Sequence, residues 1–482
     1  MQDWSAPLTE SQLGLVVIQK SLPALHLYNV VVELGLAPAA TAYSVRLALA
    51  NVLEVQPALR LRFSNSKALL ARPLSAAELP FCDVLAQQSF DATVLAERNL
   101  LAITEFHLDC SPLFQAVHIR AADGSRSSLL LVIHHAVFDG ASIAPLIRDL
   151  NTALEGNLDT KKLRSIREKA LQRELVAQFR VANDDQSADA ARILGERLKE
   201  VPTTVLFPRP CRPAATSFLG QRSRIQISHD LNKGIDQALH TLGATPFTFF
   251  AGIFAATLGR HADVPVVTFG VPLISRRTLA SHDLCGFFVN TLPFIAELNW
   301  KVGFDEYLRS TISSEVDLLK RSVAVPLTRL VRYCSPNRDS NRNPLFSTML
   351  AMQDSTTLAP DGLVQTVCEH GTGTSKFDLW LGVTPTPDGW LLELEYDTSL
   401  LPQQVVEGIH NSILEALNAV VRDPGVALAD LFADASPDDS VWADGYWRQP
   451  AAGDLYTWLR TSAVRYADRV AVEEGGSILL RA

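Results

Sequence analysis

Apolar runs alternate along the chain with longer segments in which apolar positions recur every three or four residues. Residues 127–133 (SSLLLVI) form a nearly continuous apolar run, which is typical of a strand buried on both faces of a sheet. After Asp139 and Gly140 the period changes, and apolar side chains recur at spacings of three and four: Ile143, Leu146, Ile147 and Leu150. This order predicts a strand, a tight loop and a helix between residues 127 and 153.

Other segments continue the alternation of strands and helices. Residues 41–53 and 402–421 are amphipathic and predict helices, and residues 264–271 (VPVVTFGV) predict another buried strand. Thr245 and Pro246 form a helix N-cap followed by proline at the first helical position. We therefore expect an α/β or α+β fold rather than a sandwich or a bundle.

The length and the irregular segments indicate more than one structural unit. A chain of 482 residues corresponds to about three domain-sized units. Residues 201–222 are rich in Pro and Thr and predict a connector, and residues 434–453, rich in Asp, Ser, Pro and Gly, predict a linker. Residues 454–482 resume a helix-then-strand pattern, so we expect the beginning of another domain there.

Composition excludes several classes of protein. The chain is 47% hydrophobic and 20% charged, which excludes a collagen, a coiled coil or a disordered tail. Its net charge of −9 gives no electrostatic reason to expect binding to nucleic acid or to an anionic membrane. The apolar stretch 246–259 is shorter than the roughly 18 to 20 residues that span a bilayer, so it predicts a buried helix.

The cysteines and the N-terminal residues favour a reduced compartment. The six cysteines are widely scattered, with no C-x-x-C pair or His-Cys cluster that would indicate zinc or redox chemistry. No basic and apolar secretory signal is visible after Met1. We expect reduced thiols, no metal site and a cytoplasmic location.

The strongest chemical signal is the heptapeptide 134–140 (HHAVFDG), which follows the predicted strand 127–133. Adjacent side chains on a strand point to opposite faces, so at most one of His134 and His135 can face a given cleft. An imidazole with the ordinary pKa of roughly 6.5 can accept a proton from an attacking amine. A purely structural histidine fits the same spacing, and spacing alone leaves both interpretations open.

This heptapeptide matches the HHxxxDG motif of condensation domains from nonribosomal peptide synthetases, and further family blocks follow in the expected order. Together they cover about residues 5 to 430. The other blocks that resemble family motifs are Leu8–Leu15 (LTESQLGL), Leu59–Phe63 (LRLRF), Cys285–Pro293 (CGFFVNTLP), Arg338–Leu345 (RDSNRNPL) and Ser375–Leu379 (SKFDL).

The resemblance implies an architecture and a reaction. The family has two lobes similar to chloramphenicol acetyltransferase, arranged as a V-shaped pseudo-dimer, which here would be residues 1–175 and 176–433. A donor acyl or peptidyl thioester and an acceptor aminoacyl thioester reach the site on the 4'-phosphopantetheine arms of carrier domains, and the products are an amide and a free thiol. The protein would therefore be an acyltransferase that binds no cofactor of its own.

The resemblance also implies roles for the residues of the motif. His135 would be the active-site histidine, and His134 would point into the protein. Asp139 would be structural and pair with Arg276. Gly140 and the backbone N–H that follows it would face the thioester oxygen at the helix start.

Three more residues are candidates for the tunnel or the second lobe beside it: Asn290, Ala141 and Ser340. Ala141 is also a departure, because tryptophan often follows the DG pair in the family. Two further departures are Val16, where the first block usually has Trp, and Gln56, where the second usually has His.

The ends of the chain leave the subtype open. Residues 455–459 (LYTWL) and 466–472 (YADRVAV) resemble the opening of an adenylation domain, which would be an adjacent partner. The short segment before the first block is compatible with a starter type that acylates the first amino acid of a lipopeptide, with an acyl-CoA donor. The alternatives are a non-catalytic module that recruits carriers or enzymes and a free-standing acyltransferase.

Overall fold

The computed structural model describes residues 4–21, 26–64, 66–201, 206, 216–334, 343–353 and 362–432, and the backbone of 470–474 and 477–480. It confirms the expected mixed α/β fold. The strands are β1 (Ser5–Pro7), β2 (Asn29–Leu36), β3 (Leu61–Ser64), β4 (Lys67–Leu70), β5 (Phe81–Ala86), β6 (Phe114–Ala121), β7 (Ser127–His134), β8 (Gly220–Ile225), β9 (Val266–Ile274), β10 (Val289–Glu297), β11 (Thr348–Met352), β12 (Val364–His370), β13 (Leu379–Thr386), β14 (Gly389–Asp397), β15 (Val470–Glu474) and β16 (Ser477–Leu480). The helices are α1 (Glu10–Ser21), α2 (Ala42–Val55), α3 (Phe90–Ala102), α4 (Ile143–Leu154), α5 (Thr160–Ala182), α6 (Asp185–Glu200), α7 (His229–Leu242), α8 (Pro246–Ala262), α9 (Phe304–Tyr307), α10 (Ser313–Ser322), α11 (Leu327–Cys334) and α12 (Gln403–Arg422).

The first large sheet has the strand order β12-β2-β7-β6-β5, with β7 in its centre. Every residue of β7 is buried. Leu129 and Leu131 pack in a core with α2 and α4, while Leu130 and Val132 pack in a separate core with α3. Helices therefore cover both faces of this sheet, which explains why its central strand is apolar at successive positions.

The second large sheet has the order β10-β9-β11-β13-β14-β8 and a core of its own. Helix α8 is almost completely buried against it. The Thr245 side chain accepts the N–H of Thr248 at 3.2 Å and Pro246 takes the first helical position, so the expected cap is confirmed. Because α8 is buried on all sides, its sequence is apolar around the whole circumference of the helix and not along one stripe.

The chain passes between the two sheets more than once. Strand β12 pairs with β2 in the first sheet, although β11 and β13 on either side of it belong to the second. The boundary expected near residue 175 falls inside α5, which is continuous from Thr160 to Ala182. The first sheet thus takes its edge strand from the C-terminal half of the chain.

In the part of the chain that the structure describes, no single helix is long and apolar enough to cross a membrane. Helices α7 and α8 pass that test only as a pair, and they are bent by 105° relative to each other.

The expected linker at residues 434–453 lies outside the described residues. Of residues 454–482, the structure describes only the backbone of β15 and β16, which form an antiparallel pair.

Candidate active site

His134 ends β7 and is buried, with 1% of its surface exposed. Its Nδ1 accepts the N–H of Ala136 at 3.1 Å, so its proton lies on Nε2, which is 3.4 Å from Gln19 Oε1. Burial, aided by the nearby charge of Lys376, lowers the pKa of His134 to about 3. His134 is therefore a neutral residue that holds the start of the loop.

His135 offers a free nitrogen. Its backbone N–H donates to the carbonyl of Tyr28 at 2.7 Å, and its Nδ1–H donates to the carbonyl of Phe138 at 2.6 Å. The Nε2 atom consequently carries the lone pair. The ring packs edge-on against Phe287, at 4.9 Å between centroids. Burial lowers the pKa of His135 to about 3, so the imidazole is neutral and can accept a proton at Nε2.

Tyr28 neighbours both His135, whose backbone N–H it accepts, and Lys376, whose Nζ lies beside its ring. Each keeps some exposed surface, yet burial shifts the pKa of each away from its ordinary value. Burial raises the pKa of Tyr28 to about 12 and lowers that of Lys376. The Lys376 Nζ lies 5.1 Å from the centre of the Tyr28 ring. Partial exposure combined with strong desolvation is expected for side chains that line a narrow channel.

Asp139 and Arg276 form the expected ion pair, at 2.9 Å, and both side chains are at most 2% exposed. Asp139 also accepts hydrogen bonds from the Ser142 hydroxyl at 2.6 Å and from the N–H of Phe288 at 3.0 Å. All three partners are donors, so the carboxyl is ionised. Burial raises the pKa of Asp139, and the Arg276 guanidinium opposes that rise. The pair joins the histidine loop to the segment before β10.

Ser142 and Gly286 form a second connection between the same two segments. The Ser142 hydroxyl oxygen accepts the N–H of Gly286 at 3.0 Å. A Cβ atom at position 286 would lie 2.2 Å from the ring of Phe288, so a side chain there would displace that ring. The glycine of the CGFFVNT block is thus required by close packing.

Glu174, which sequence reasoning missed, holds the turn that carries Arg276. Its side chain is completely buried and accepts the backbone N–H groups of Arg277 at 2.6 Å and Thr278 at 2.8 Å. It also accepts the Thr278 hydroxyl at 2.8 Å and the amide of Gln178 at 2.9 Å. Helix α5 therefore fixes the backbone that directly follows Arg276.

We expect Glu174→Ala to lower the free energy of unfolding by about 2 to 4 kcal/mol, because two buried N–H groups and a hydroxyl lose their acceptor. Urea unfolding followed by circular dichroism measures this loss. Lys169→Ala, an exposed position on the same helix, is the control and should change stability by less than about 0.5 kcal/mol. Equal effects of the two substitutions would contradict this role of Glu174.

Gln56, one of the departures from the family pattern, lies in a buried junction. Its Nε2 donates to Asp149 Oδ2 at 2.7 Å and to the carbonyl of Asp283 at 3.1 Å, and its Oε1 accepts the N–H of Cys285 at 2.8 Å. An amide supplies a donor and an acceptor at once, and it does so without titrating near neutral pH. This junction joins the end of α2 to the segment before β10.

Gln56→Ala should destabilise the protein by about 1 to 3 kcal/mol, because the N–H of Cys285 and the carboxylate of Asp149 lose a buried partner. Thermal or urea unfolding measures the change. Gln237→Ala removes an amide from an exposed position of α7 and should leave stability nearly unchanged. A Gln56→Ala protein as stable as the wild type would show that the junction contributes nothing.

The other predicted site residues differ in their contacts and in their exposure to solvent. Asn290 donates to the carbonyls of Val323 at 3.0 Å and Val325 at 2.6 Å, so its amide holds backbone. Gly140 is exposed, and Ala141 beside it is partly exposed. Ser340 lies outside the described residues.

Supporting contacts from α1 could not be read from the sequence. Gln12 lies in the first family block, and its Nε2 donates to the carbonyl of Ala136 at 3.2 Å. Gln19 contacts His134 from the next turns of the same helix. These residues are more than a hundred positions from the loop, so no local spacing could indicate the contact. Among the described residues, no three His, Cys, Asp or Glu side chains come together as a metal site.

Comparison with known proteins gives the following matches. A family model described as Condensation domain matches residues 2–436. The phosphinothricin tripeptide synthetase PhsC of Streptomyces viridochromogenes is 28% identical over 495 residues, covering 98% of this chain and 44% of that protein. The chain thus spans less than half the length of this relative.

Two solved structures show the same fold. The first condensation domain of the CDA synthetase has a TM-score of 0.74 at 16% identity, covering 89% of this chain and 98% of that one. The X-domain from teicoplanin biosynthesis, solved in complex with OxyB, has a TM-score of 0.69 at 17% identity, covering 89% and 96%. Because the family model matches nearly all of the chain up to residue 436, the chain belongs to the condensation domain family of nonribosomal peptide synthetases.

Proposed function

We propose that this chain forms an amide between a donor acyl or peptidyl thioester and the amine of an acceptor aminoacyl thioester. The observation that carries the proposal is the free Nε2 of a neutral, partly exposed His135 in the HHxxxDG loop. The amine nitrogen bonds to the thioester carbonyl carbon, the carbon–sulfur bond breaks, and the amine proton is transferred by way of Nε2 to the departing thiolate. The products are the amide and a thiol.

Two physical effects supply the rate. Holding both thioesters end to end converts a bimolecular attack into a unimolecular one, with an effective molarity on the order of 10^5 M or more. General base catalysis by His135 adds roughly 10^2 to 10^4-fold. The buried ion pair of Asp139 with Arg276 ties the loop to the segment before β10 and so helps to position His135.

The proposed substrates arrive on 4'-phosphopantetheine arms of carrier domains, which are the proposed partners, together with an adenylation domain that would begin at residues 454–482. The domain itself would hold no cofactor. A starter type would accept acyl-CoA as donor and would N-acylate the first amino acid of a lipopeptide. The reaction would take place in the cytoplasm, where phosphopantetheine thiols stay reduced.

The test is an intact-mass experiment on the acceptor carrier. The carrier is loaded with different aminoacyl groups and offered acyl-CoA or an acyl-loaded carrier, with and without this protein. The proposal predicts a mass increase equal to the donor acyl group, and tandem mass spectrometry should place it on the amine. Absence of any adduct across the donor and acceptor panel would contradict amide formation.

A second candidate function is a non-catalytic module that recruits another protein. It is favoured by one observation, the similarity to the X-domain solved in complex with OxyB. In that case the protein would bind loaded carriers or a tailoring enzyme in a pull-down but would yield no amide. The intact-mass experiment separates the two candidates, because only a condensing enzyme changes the mass of the acceptor.

A further inference from the structure

Phe287 lies in the segment before β10 and packs against the imidazole of His135. The two ring centroids are 4.9 Å apart, and the ring planes meet at 69°. The Phe287 side chain is 8% exposed and belongs to the core of the first sheet, although β10, which begins two residues later, belongs to the second. A side chain from a distant part of the sequence therefore contacts the imidazole from outside the histidine loop.

The backbone on both sides of Phe287 is fixed by the far end of that loop. The N–H of Gly286 donates to the hydroxyl oxygen of Ser142 at 3.0 Å, and the N–H of Phe288 donates to Asp139 Oδ2 at 3.0 Å. Both acceptors are buried. The loop thus holds the segment through its last residues, and the segment returns a ring to His135 near its beginning.

The two adjacent phenylalanines have different partners. The guanidinium carbon of Arg276 lies 4.7 Å from the centre of the Phe288 ring, so this ring packs on the cation of the ion pair with Asp139. The Phe287 ring packs on His135. Phe288 therefore supports the ion pair, and Phe287 is the member of this segment that contacts the imidazole.

The contact matters because the loop itself holds the imidazole by one side-chain hydrogen bond, from Nδ1–H to the carbonyl of Phe138 at 2.6 Å. The torsion that turns a histidine ring about its own axis is broad and roughly two-fold. A ring that turns over takes its Nδ1–H away from that carbonyl and moves Nε2 to another place. An aromatic ring in edge contact at 4.5 to 7 Å opposes this rotation.

We propose that Phe287 is a positioning residue that holds the His135 ring in the one orientation with Nδ1–H on the Phe138 carbonyl and Nε2 free. The inference rests on the proposed function, since it assigns what orients the base of the same reaction. It predicts that the aromatic ring of Phe287, and not only its apolar bulk, is needed.

The first test compares Phe287→Leu, which keeps most of the apolar bulk without the ring, with Phe287→Tyr, which keeps the ring. Steady-state rates of amide formation are measured against the concentration of each loaded carrier. We expect Phe287→Leu to lower kcat by about 3- to 10-fold, the factor that corresponds to an aromatic pair, with KM unchanged. Phe287→Tyr should stay within about 2-fold of the wild-type kcat.

The control removes a similar contact far from the site. Phe81, on the edge strand β5, packs on His118 at 6.4 Å between centroids, and Phe81→Leu should retain the wild-type kcat and KM. A Phe287→Leu protein with the wild-type kcat would overturn the proposal. So would a raised KM with an unchanged kcat, because Phe287 would then bind substrate and not act through His135.

A second measurement does not depend on turnover. Ring ¹⁵N NMR of histidine-labelled protein, with His135→Ala for assignment, shows which ring nitrogen of His135 carries the proton. We expect one N–H and one unprotonated nitrogen in the wild type and in Phe287→Tyr, and shifts averaged between the two forms in Phe287→Leu. Identical spectra for all three proteins would overturn the inference even if condensation occurs. Averaged shifts in Phe287→Leu, together with a wild type that forms no amide, would support the positioning by Phe287 and contradict only the proposed function.

Discussion

Replacing His135 with alanine should lower the single-turnover rate of amide formation by about 10^2 to 10^4-fold, which is the usual contribution of a general base. Within the described residues, His135 is the only imidazole of the loop whose Nε2 is free to accept a proton, and the substitution removes it. Quenched-flow mixing of donor and acceptor carriers, followed by intact-mass detection of the acceptor, measures the rate.

The fold should survive this substitution. His135 is partly exposed, and apart from its backbone hydrogen bond it makes one side-chain hydrogen bond, to Phe138. His240→Ala, at an exposed position of α7, is the matched control and should retain the wild-type rate. If the His135→Ala protein is folded and condenses at the wild-type rate, His135 does not act as the base.

Breaking the ion pair of Asp139 and Arg276 should have the largest effect on stability. Asp139→Ala leaves a buried guanidinium without its carboxylate and leaves the N–H of Phe288 without an acceptor. The loss of one partner of a buried pair costs about 3 to 5 kcal/mol. Urea unfolding of Asp139→Ala, Arg276→Ala and the double variant gives the coupling energy. We expect the double variant to lose less than the sum of the single losses.

The chain contains a matched exposed pair for comparison. The nitrogen–oxygen distance between Arg126 and Asp91 is 2.7 Å, close to that of the buried pair, but these two side chains are 54% and 77% exposed. Solvent screens such a pair, so its coupling energy should be much smaller than that of the buried pair. Equal coupling energies for the buried and the exposed pair would show that burial of Asp139 and Arg276 does not matter.

Local sequence patterns predicted the central elements well. The apolar run at 127–133 became β7, and the change of period after Gly140 became the start of α4. The cap at Thr245 marked the start of α8. These features depend on neighbouring residues, so they can be recognised from a single sequence.

Contacts between distant segments could not be predicted in this way. The return of β12 to the first sheet depends on pairing with a strand more than three hundred residues earlier. Glu174 looks like any charged residue of a helix, and only the fold brings it to the turn at 277–278. The family resemblance supplied the pairing of Asp139 with Arg276, because spacing says nothing about residues 137 positions apart.

The most direct measurement is the protonation state of His135 itself. Long-range ¹H–¹⁵N NMR of histidine-labelled protein, with His135→Ala used for assignment, reports which ring nitrogen carries the proton. We predict a neutral imidazole protonated on Nδ1, with no titration between about pH 8 and pH 5, because burial holds the pKa of His135 near 3, below its ordinary value of 6.5. A neutral ring with its proton on Nε2, or an imidazolium that persists up to pH 8, would contradict the proposed base, because neither has a lone pair on Nε2.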